Sequence, residues 1–294
     1  LTGQHNYLSR ESYTEKAKEI TGKYPVVWGC DFSYKRKSKP EWSSEKRKNV
    51  VKEAIEHYNR GHIITLMWHC CYPEVWQGCS HKDIWTWQKR LTKSDWENLT
   101  TEGTELNEKW KTQVDQIADL LKILRDENIP VLWRPYHEMN GIWFWWCNRR
   151  GEDGFAKLWK MMYDRFTNHH KLNNLIWVWN PNAPRDKEND EAYAYDMYFP
   201  GLDYVDILAA DVYHNDYKQS HHDDLLKLAG NKPIAMGEIG QHPEITKIYE
   251  QPQWTWFMTW AGFLVKKNDP DSVRTLYNDP RVLTLDEINR DEKG

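Results

Sequence analysis

The sequence lacks a long hydrophobic run and a surplus of either charge. Its 294 residues contain no stretch of about 18 uninterrupted apolar residues, which excludes a membrane-spanning helix. Forty Lys and Arg residues against 44 Asp and Glu residues give a formal net charge of −4. Because nucleic-acid binders normally need a basic surplus to contact phosphates, we expect neither a nucleic-acid nor a membrane partner.

Cysteine and metal-ligand patterns are also sparse. The five cysteines show no C-x-x-C spacing, and their odd number leaves at least one free thiol; they are Cys30, Cys70, Cys71, Cys79 and Cys147. Twelve histidines make a metal hydrolase one alternative, but no H-E-x-x-H or comparable spacing occurs. We therefore expect no metal and no cofactor.

Aromatic side chains are abundant instead. The chain has 18 Trp, 16 Tyr and 7 Phe, together 14% of its residues. A buried indole N–H needs a hydrogen-bond partner, so tryptophan is a demanding residue for filling a core. Sugar rings stack their C–H faces on such side chains, which makes carbohydrate the first substrate class to test. For any single ring, a place in the core is the alternative.

Short apolar runs alternate with longer amphipathic segments along the chain. Helical spacing is clear at residues 45–60 and 105–127. Alternating strands and helices form right-handed units, and eight of them close into an α/β (β/α)8 TIM barrel, which we predict as one domain over residues 1–294. Residues 73–104 are too long for an ordinary connection and predict a substrate-facing loop. The eight predicted strands are residues 1–5, 25–34, 62–72, 130–136, 174–180, 204–213, 232–239 and 255–262.

Polar residues cluster at the ends of these runs, where a barrel carries its chemistry. Alternation along the strands predicts that Arg134, Tyr136 and Glu138 share one face. It predicts the same for Ile234, Met236 and Glu238. The strand ends supply His69, Arg134, His137, Glu138, Asp211, Tyr213, Glu238 and Trp260.

Two glutamates lie on the fourth and seventh runs, which face each other across an eight-stranded barrel. Carboxyl groups about 5 to 5.5 Å apart are what a retaining glycosidase needs. One attacks the anomeric carbon, and the other donates a proton and then activates water. A lone Glu at a strand end is usually a cap or an ion-pair partner, so the hypothesis depends on Glu138 and Glu238 together.

Residues 134–141, R-P-Y-H-E-M-N-G, continue into the aromatic run 143–146. This segment closely resembles the signature of glycoside hydrolase family 26, the β-mannanases. The resemblance covers nearly the whole chain. It also includes Gly3-Gln4, Trp68-His69, residues 177–181, residues 211–213 and Gly237-Glu238.

The resemblance implies a role for each matching position. Glu138 is similar to the acid/base and Glu238 to the nucleophile. Tyr213 and Arg134 resemble residues that contact the nucleophile and favour its ionised form. His137 resembles a residue beside the nucleophile and the cleaved sugar. His69, Trp143 and Trp260 are similar to residues lining the cleft.

Two features depart from the family pattern. Cys147 stands where the family commonly has glycine, and Cys70, Cys71 and Cys79 follow the third strand. We expect either a disulfide within the third loop or one joining the third and fourth loops, with buried reduced thiols as the alternative. One of Trp76, Trp85 and Trp87 is expected to form a sugar platform distant from the cut, and we favour Trp85.

Together with the two glutamates, the resemblance implies an endo-acting β-1,4-mannanase that retains anomeric configuration through a covalent glycosyl-enzyme. Two alternatives stay open: a related specificity, for β-1,3-xylan or mixed-linkage glucan, and a non-catalytic polysaccharide-binding barrel. We expect a monomeric secreted protein whose partner is β-mannan or its oligosaccharides. The chain begins in a strand-like segment, so we expect any signal peptide to be absent from it.

Overall fold

Eight parallel strands form a closed barrel in chain order. A computed structural model describes residues 1–7 and 12–288, apart from the side chains of residues 87–88. The pairing of Thr2 with Phe257 joins the first strand to the last. The predicted (β/α)8 architecture is confirmed. The strands are β1 (Thr2–Asn6), β2 (Val27–Asp31), β3 (Ile63–Trp68), β4 (Val131–Pro135), β5 (Leu175–Trp179), β6 (Ile207–Val212), β7 (Ile234–Ile239) and β8 (Trp254–Thr259).

Helices surround this barrel. Between β5 and β6 the chain forms only two 3-10 turns, Tyr195–Tyr198 and Leu202–Tyr204, so this connection departs from the regular strand–helix repeat. The α-helices in the described part of the chain are α1 (Tyr13–Thr21), α2 (Pro40–Asn59), α3 (His81–Arg90), α4 (Lys93–Leu99), α5 (Glu105–Asp126), α6 (Phe155–Asp164), α7 (Gln219–Ala229), α8 (Ile245–Glu250), α9 (Phe263–Lys266), α10 (Pro270–Tyr277) and α11 (Leu285–Ile288).

Helix α5 shows why the predicted helices form. Its buried face recurs at three- and four-residue steps, with Trp110, Val114 and Leu121 packed against the barrel. The side chain of Thr104 accepts a hydrogen bond from the Asn107 N–H, which caps the first turn. The helix therefore begins and ends close to the predicted bounds.

The core has an inner and an outer part. A cluster drawn from six strands, including Leu132, Val178 and Ala235, fills the barrel interior. A larger outer cluster lies between strands and helices and contains Trp133 and Trp159. Many of the aromatic rings are therefore core, while others reach the open end of the barrel.

The long connection between β3 and β4 is more ordered than the predicted loop. It contains the 3-10 turn Pro73–Val75 and the helices α3 and α4. A disulfide joins Cys71 to Cys79 within it, which is the first of the two expected arrangements. Cys147 is a buried free thiol, so the third and fourth loops are not linked through it.

Among the helices of residues 1–7 and 12–288, none combines the length and the hydrophobicity that crossing a membrane requires.

Candidate active site

A cavity of about 810 Å³ opens at the carboxyl ends of the strands. Both Glu138 and Glu238 line it. Of the other predicted site residues, six also line the cavity: His69, Trp85, His137, Trp143, Tyr213 and Trp260. Arg134 lies just beneath, where it contacts Glu238. The structure therefore brings every predicted site residue to one place.

Glu238 lies at the end of β7 and is 3% exposed. Arg134 Nη2 donates a hydrogen bond to its Oε1 at 2.5 Å, and the Tyr213 hydroxyl donates to its Oε2 at 2.5 Å. Burial, followed by the charge of Glu238, raises the pKa of Tyr213 well above its ordinary value, so this hydroxyl keeps its proton. Both neighbours stabilise a charged Glu238 carboxylate.

Asp211 places a second carboxyl group next to Glu238 and Arg134. Asp211 contacts Arg134 Nη1 at 3.4 Å and accepts a hydrogen bond from Asn180 Nδ2 at 2.8 Å. Burial and the neighbouring charge of Glu238 raise the pKa of Asp211 well above its ordinary value. A Cβ at Gly237 would lie 1.7 Å from Asn180 Oδ1, so only glycine leaves room for this amide.

Glu138 follows β4 in a left-handed turn with φ of 56°. Its N–H donates to the Asn180 carbonyl at 2.7 Å, which anchors the turn to β5. Asn182 Nδ2 donates to Glu138 Oε1 at 2.5 Å, and Trp143 Nε1 donates to Oε2 at 2.7 Å. Burial, followed by the charge of Glu238, raises the pKa of Glu138 to about 7. This carboxyl can therefore exchange a proton near neutral pH.

The aromatic segment after Glu138 folds back over its own turn. A Cβ at Gly141 would lie 2.4 Å from the Trp143 ring, so glycine lets the indole reach the carboxylate. The Cys147 thiol donates to the Glu138 carbonyl at 3.1 Å. The cysteine that departs from the family pattern thus supports the same turn.

Histidines line the wall next to the two carboxylates. His69 Nδ1 lies 3.1 Å from Asp31 Oδ2. Burial opposes charge on His69, but the Asp31 carboxylate outweighs it and raises the pKa. His137 lies edge-on to His69, with Nε2 at 3.8 Å from Glu238 Oε1. Burial, followed by the charges of His69 and Arg134, lowers the pKa of His137 well below its ordinary value, so His137 is neutral.

The outer wall of the cavity is aromatic. Trp260 stacks on His5 with ring centroids 4.0 Å apart. Trp85 packs on Phe144 at 4.9 Å and is 40% exposed. Of the other two candidate platforms, Trp76 is not among the residues lining this cavity, and the side chain of Trp87 lies outside the described residues.

Alternation places Tyr136 on the wrong face. Tyr136 was expected beside Arg134 and Glu138, but its hydroxyl accepts a hydrogen bond from Trp110 Nε1 of α5 at 3.0 Å, outside the barrel. The reason is that β4 ends at Pro135 and Tyr136 adopts a φ of 49°. Alternation stops where the extended backbone stops.

Alternation is also wrong on β7. Ile234 and Met236 pack in outer clusters with helix residues, whereas Glu238 faces the cavity. Asp211 of β6 pairs with Glu238 and Ala210 pairs with Met236, so β7 carries one extra residue between these pairs. This bulge turns Glu238 into the barrel mouth.

Matches with known proteins agree with this geometry. The glycosyl hydrolase family 26 model matches residues 1–287. The chain belongs to glycosyl hydrolase family 26. A mannan endo-1,4-beta-mannosidase of Thermothelomyces thermophilus is 34% identical to this family 26 chain, over 98% of the chain and 58% of that protein. The chain spans about half the length of the first four curated relatives, from 42% to 58%.

Solved family 26 structures share the whole barrel. GH26A of a Muricauda species matches with a TM-score of 0.88 and 49% identity, covering 98% of this chain and 92% of that one. A β-mannanase from a symbiotic protist of the termite Reticulitermes speratus, complexed with gluco-manno-oligosaccharide, matches with a TM-score of 0.81 and 27% identity. That match covers 97% of this chain and 88% of the protist enzyme.

Three residues of this family 26 site bring possible metal ligands together, and two of them already accept hydrogen bonds from Arg134. His137, Asp211 and Glu238 bring one ligand atom each within 4.8 Å of one another. Arg134 donates into both carboxylates of this group. A fixed guanidinium among the oxygens supplies the positive charge that a metal would otherwise bring.

Sequence reasoning missed three residues of this family 26 site. Asn182 contacts Glu138, Asp31 holds His69, and Arg185 lines the cavity beside Trp143. Asp31 is the last residue of β2, and Asn182 lies three residues beyond β5. Their positions at or just after strand ends make Asp31 and Asn182 candidates for a barrel site. No local sequence pattern marks Arg185.

Proposed function

We propose that this chain is an endo-acting β-1,4-mannanase that hydrolyses mannan, galactomannan or glucomannan with retention of anomeric configuration. The observation that carries the proposal is a pair of buried carboxylates in one cavity with opposite surroundings. Glu238 is bonded by a cation, whereas burial raises the pKa of Glu138 toward neutrality. Such a pair separates the nucleophile from the acid.

In the first step, Glu238 acts as the nucleophile. A carboxylate oxygen bonds to the anomeric carbon while the glycosidic C–O bond breaks and its electron pair goes to the leaving oxygen. Glu138 gives its proton to that oxygen. Arg134 and Tyr213 support this role because their hydrogen bonds stabilise a charged carboxylate and fix its orientation before the attack.

In the second step, Glu138 acts as the base. Once Glu238 is esterified, its negative charge no longer raises the pKa of Glu138. Glu138 then accepts a proton from water as the water oxygen bonds to the anomeric carbon and the ester bond breaks. This returns Glu238 to the carboxylate and releases the sugar with its original configuration.

The mannan assignment is supported by the names of the relatives and by the lining of the cavity. The matched curated relatives are mannan endo-1,4-beta-mannosidases. Trp143, Trp260 and Trp85 give the cavity aromatic surfaces on which sugar rings stack. His69 and His137 add polar contacts beside the reacting pair.

The setting of the enzyme is part of the proposal. Residues 1–294 form one catalytic domain that works as a monomer, without metal or cofactor, and without a nucleic-acid or membrane partner. Secretion is supported by the Cys71–Cys79 disulfide, because such bonds persist in oxidising compartments.

The proposal is tested by the product profile on mannotriose to mannohexaose, together with reducing-sugar release from mannan, β-1,3-xylan and mixed-linkage glucan. We expect cleavage of internal bonds of mannan, mixtures of short products, and unchanged rates in excess chelator. Preference for xylan or glucan would contradict the mannan assignment. Binding without turnover would identify a carbohydrate-binding barrel instead.

A further inference from the structure

Arg185 lies at the rim of the cavity, outside the catalytic pair, and contacts both residues that bond Glu138. Its Nη1 donates to Asn182 Oδ1. Its guanidinium lies over the Trp143 ring, 5.0 Å from the centroid. Asn182 and Trp143 are the donors to the two Glu138 oxygens. One side chain thus touches both partners of the proposed acid/base.

The contact with Arg185 fixes the orientation of the Asn182 amide. A guanidinium only donates hydrogen bonds, so the oxygen of the amide must face Arg185. The NH2 group then faces Glu138, to which it can only donate. Asn182 is fully buried, which leaves the amide no water to exchange with.

Trp143 is likewise restricted to donating, because an indole carries only an N–H. Among the described residues, the two side chains that bond the Glu138 carboxyl oxygens can therefore donate hydrogen bonds to them but cannot accept one. When Glu138 carries a proton, neither neighbour can accept it. The proton then has a glycosidic oxygen in the cavity as its acceptor.

Arg185 is itself held firmly. Its main chain pairs with Ala192 through hydrogen bonds of 2.9 and 3.0 Å. Nε donates to the Asp190 carbonyl at 2.8 Å, and Nη2 donates to Asp190 Oδ1 at 2.5 Å. His214 and Lys187 each lie 3.0 Å from the other Asp190 oxygen. These contacts leave the guanidinium little freedom to turn away.

We propose that Arg185 is a positioning residue that keeps Asn182 and Trp143 as donors to Glu138 and so directs the Glu138 proton to the leaving oxygen of the substrate. This inference rests on the proposed function. Without Arg185 the Asn182 amide is free to turn and offer its oxygen to the protonated carboxyl. The proton would then be held by the protein instead of being transferred.

The loss of Arg185 should also appear in the pH dependence. Burial and the Glu238 charge raise the pKa of Glu138, whereas Asn182, Trp143 and Arg185 lower it. Removing the Arg185 cation therefore moves this pKa upward. The other titratable groups that interact electrostatically with Glu138 are His69, Cys147, Asp211, Tyr213 and Glu238. Arg134 and His137 contact Glu238 instead.

The test compares Arg185→Met and Arg185→Lys on two aryl mannobiosides, one with a dinitrophenyl leaving group and one with a phenyl leaving group. Poor leaving groups need the acid most. For Arg185→Met we expect kcat/KM to fall about 10- to 100-fold with phenyl and less than about threefold with dinitrophenyl. The basic limb of the pH profile, where kcat/KM falls as the pH increases, should move to higher pH by about half to one unit.

Arg185→Lys separates charge from geometry. A single ammonium cannot bond Asn182 and Asp190 together as the fork does. We therefore expect the same leaving-group dependence as in Arg185→Met, with a smaller shift of the basic limb. If kcat/KM falls equally on both substrates and the basic limb of the pH profile does not move, the proposal is overturned and Arg185 is a structural residue.

The matched control is Arg165→Met. Arg165 also makes a bidentate contact with an aspartate: its Nε and Nη2 donate to Asp115 Oδ1 and Oδ2 of α5, each at 2.6 Å. Neither residue lines the cavity. It should lower the melting temperature without changing the leaving-group ratio or the basic limb. Glu138→Ala on the same substrates distinguishes the two proposals. If kcat/KM of Glu138→Ala falls equally on the phenyl and the dinitrophenyl substrate, the acid/base role itself is wrong, independently of the result for Arg185.

Discussion

The surroundings of Glu238 and Glu138 differ in the elements that supply them. Glu238 is held by Arg134 on β4 and by Tyr213 directly after β6, so its partners stand on or beside the barrel sheet. Glu138 is bonded by Asn182 and Trp143, which both lie on connections after the strands.

The difference also concerns charge. A guanidinium contacts Glu238, whereas Glu138 receives two neutral donors and is otherwise enclosed. A fixed cation stabilises negative charge on one carboxylate, whereas burial raises the pKa of the other to about 7. The sheet thus supports the proposed nucleophile, and the loops support the proposed acid/base.

The largest expected effect comes from Glu238→Gln. The amide is nearly isosteric but cannot form the ester, so turnover should fall by at least about a thousandfold while oligosaccharide binding persists. Titration calorimetry with mannohexaose and reducing-sugar assays measure the two quantities. Glu244→Gln, a change of an exposed glutamate in the next loop, is the matched control. A Glu238→Gln enzyme that retains a tenth of normal activity would overturn the nucleophile assignment.

The second effect concerns the acid/base. Glu138→Ala should lower the rate on mannan by about 10²- to 10⁴-fold, because proton transfer to the leaving oxygen is lost. Azide is small enough to enter the vacated space and attack the glycosyl-enzyme without a base. Azide should therefore raise the rate on dinitrophenyl mannobioside and give a β-mannosyl azide. No rescue at any azide concentration would count against this role.

Removing one partner of Glu238 should have a smaller effect. Tyr213→Phe removes a hydrogen bond to a charged group, a contribution of about 1.5 to 3 kcal/mol, so kcat should fall about 10- to 100-fold. The loss should be similar for phenyl and dinitrophenyl leaving groups, unlike that of Arg185→Met. A loss confined to the phenyl substrate would show that the hydroxyl serves Glu138 instead.

The smallest effect is a change in the pKa of Glu138 during turnover. In the free enzyme a pKa of about 7 predicts that activity falls as the pH rises through neutrality and the acid loses its proton. Esterifying Glu238 removes one cause of the raised value, so the pKa of Glu138 should then be lower. Carbon NMR of labelled glutamate in free and 2-fluoro-glycosylated enzyme measures both values. An unchanged pKa would show that Glu238 does not act on Glu138.

The barrel and the proposed reacting pair were accessible from sequence for different reasons. Seven of the eight strands contain a short apolar run between turn residues and were visible directly, whereas β1, T-G-Q-H-N, is buried but polar. Glu138 was visible through its neighbours at residues 134–141 and 143–146. Asn182 was not, because its contact with Glu138 joins two connections 44 residues apart.

Local geometry was the part that sequence could not supply. Alternation fails at Tyr136, where the backbone becomes left-handed, and around Glu238, where Gly237 is an extra residue in the pairing with β6. Neither event changes the apolar pattern of its strand. The same holds for the helices in residues 73–104, whose polar faces resemble a loop.

The account is tested most directly by trapping the glycosyl-enzyme with a 2-deoxy-2-fluoro-mannoside that carries a dinitrophenyl leaving group. Protease digestion and mass spectrometry then locate the attached sugar. We predict a single label on Glu238, with none on Glu138, and parallel loss of activity. A label on Glu138, or full inactivation with no covalent sugar on either residue, would contradict the assignment of the two carboxylates.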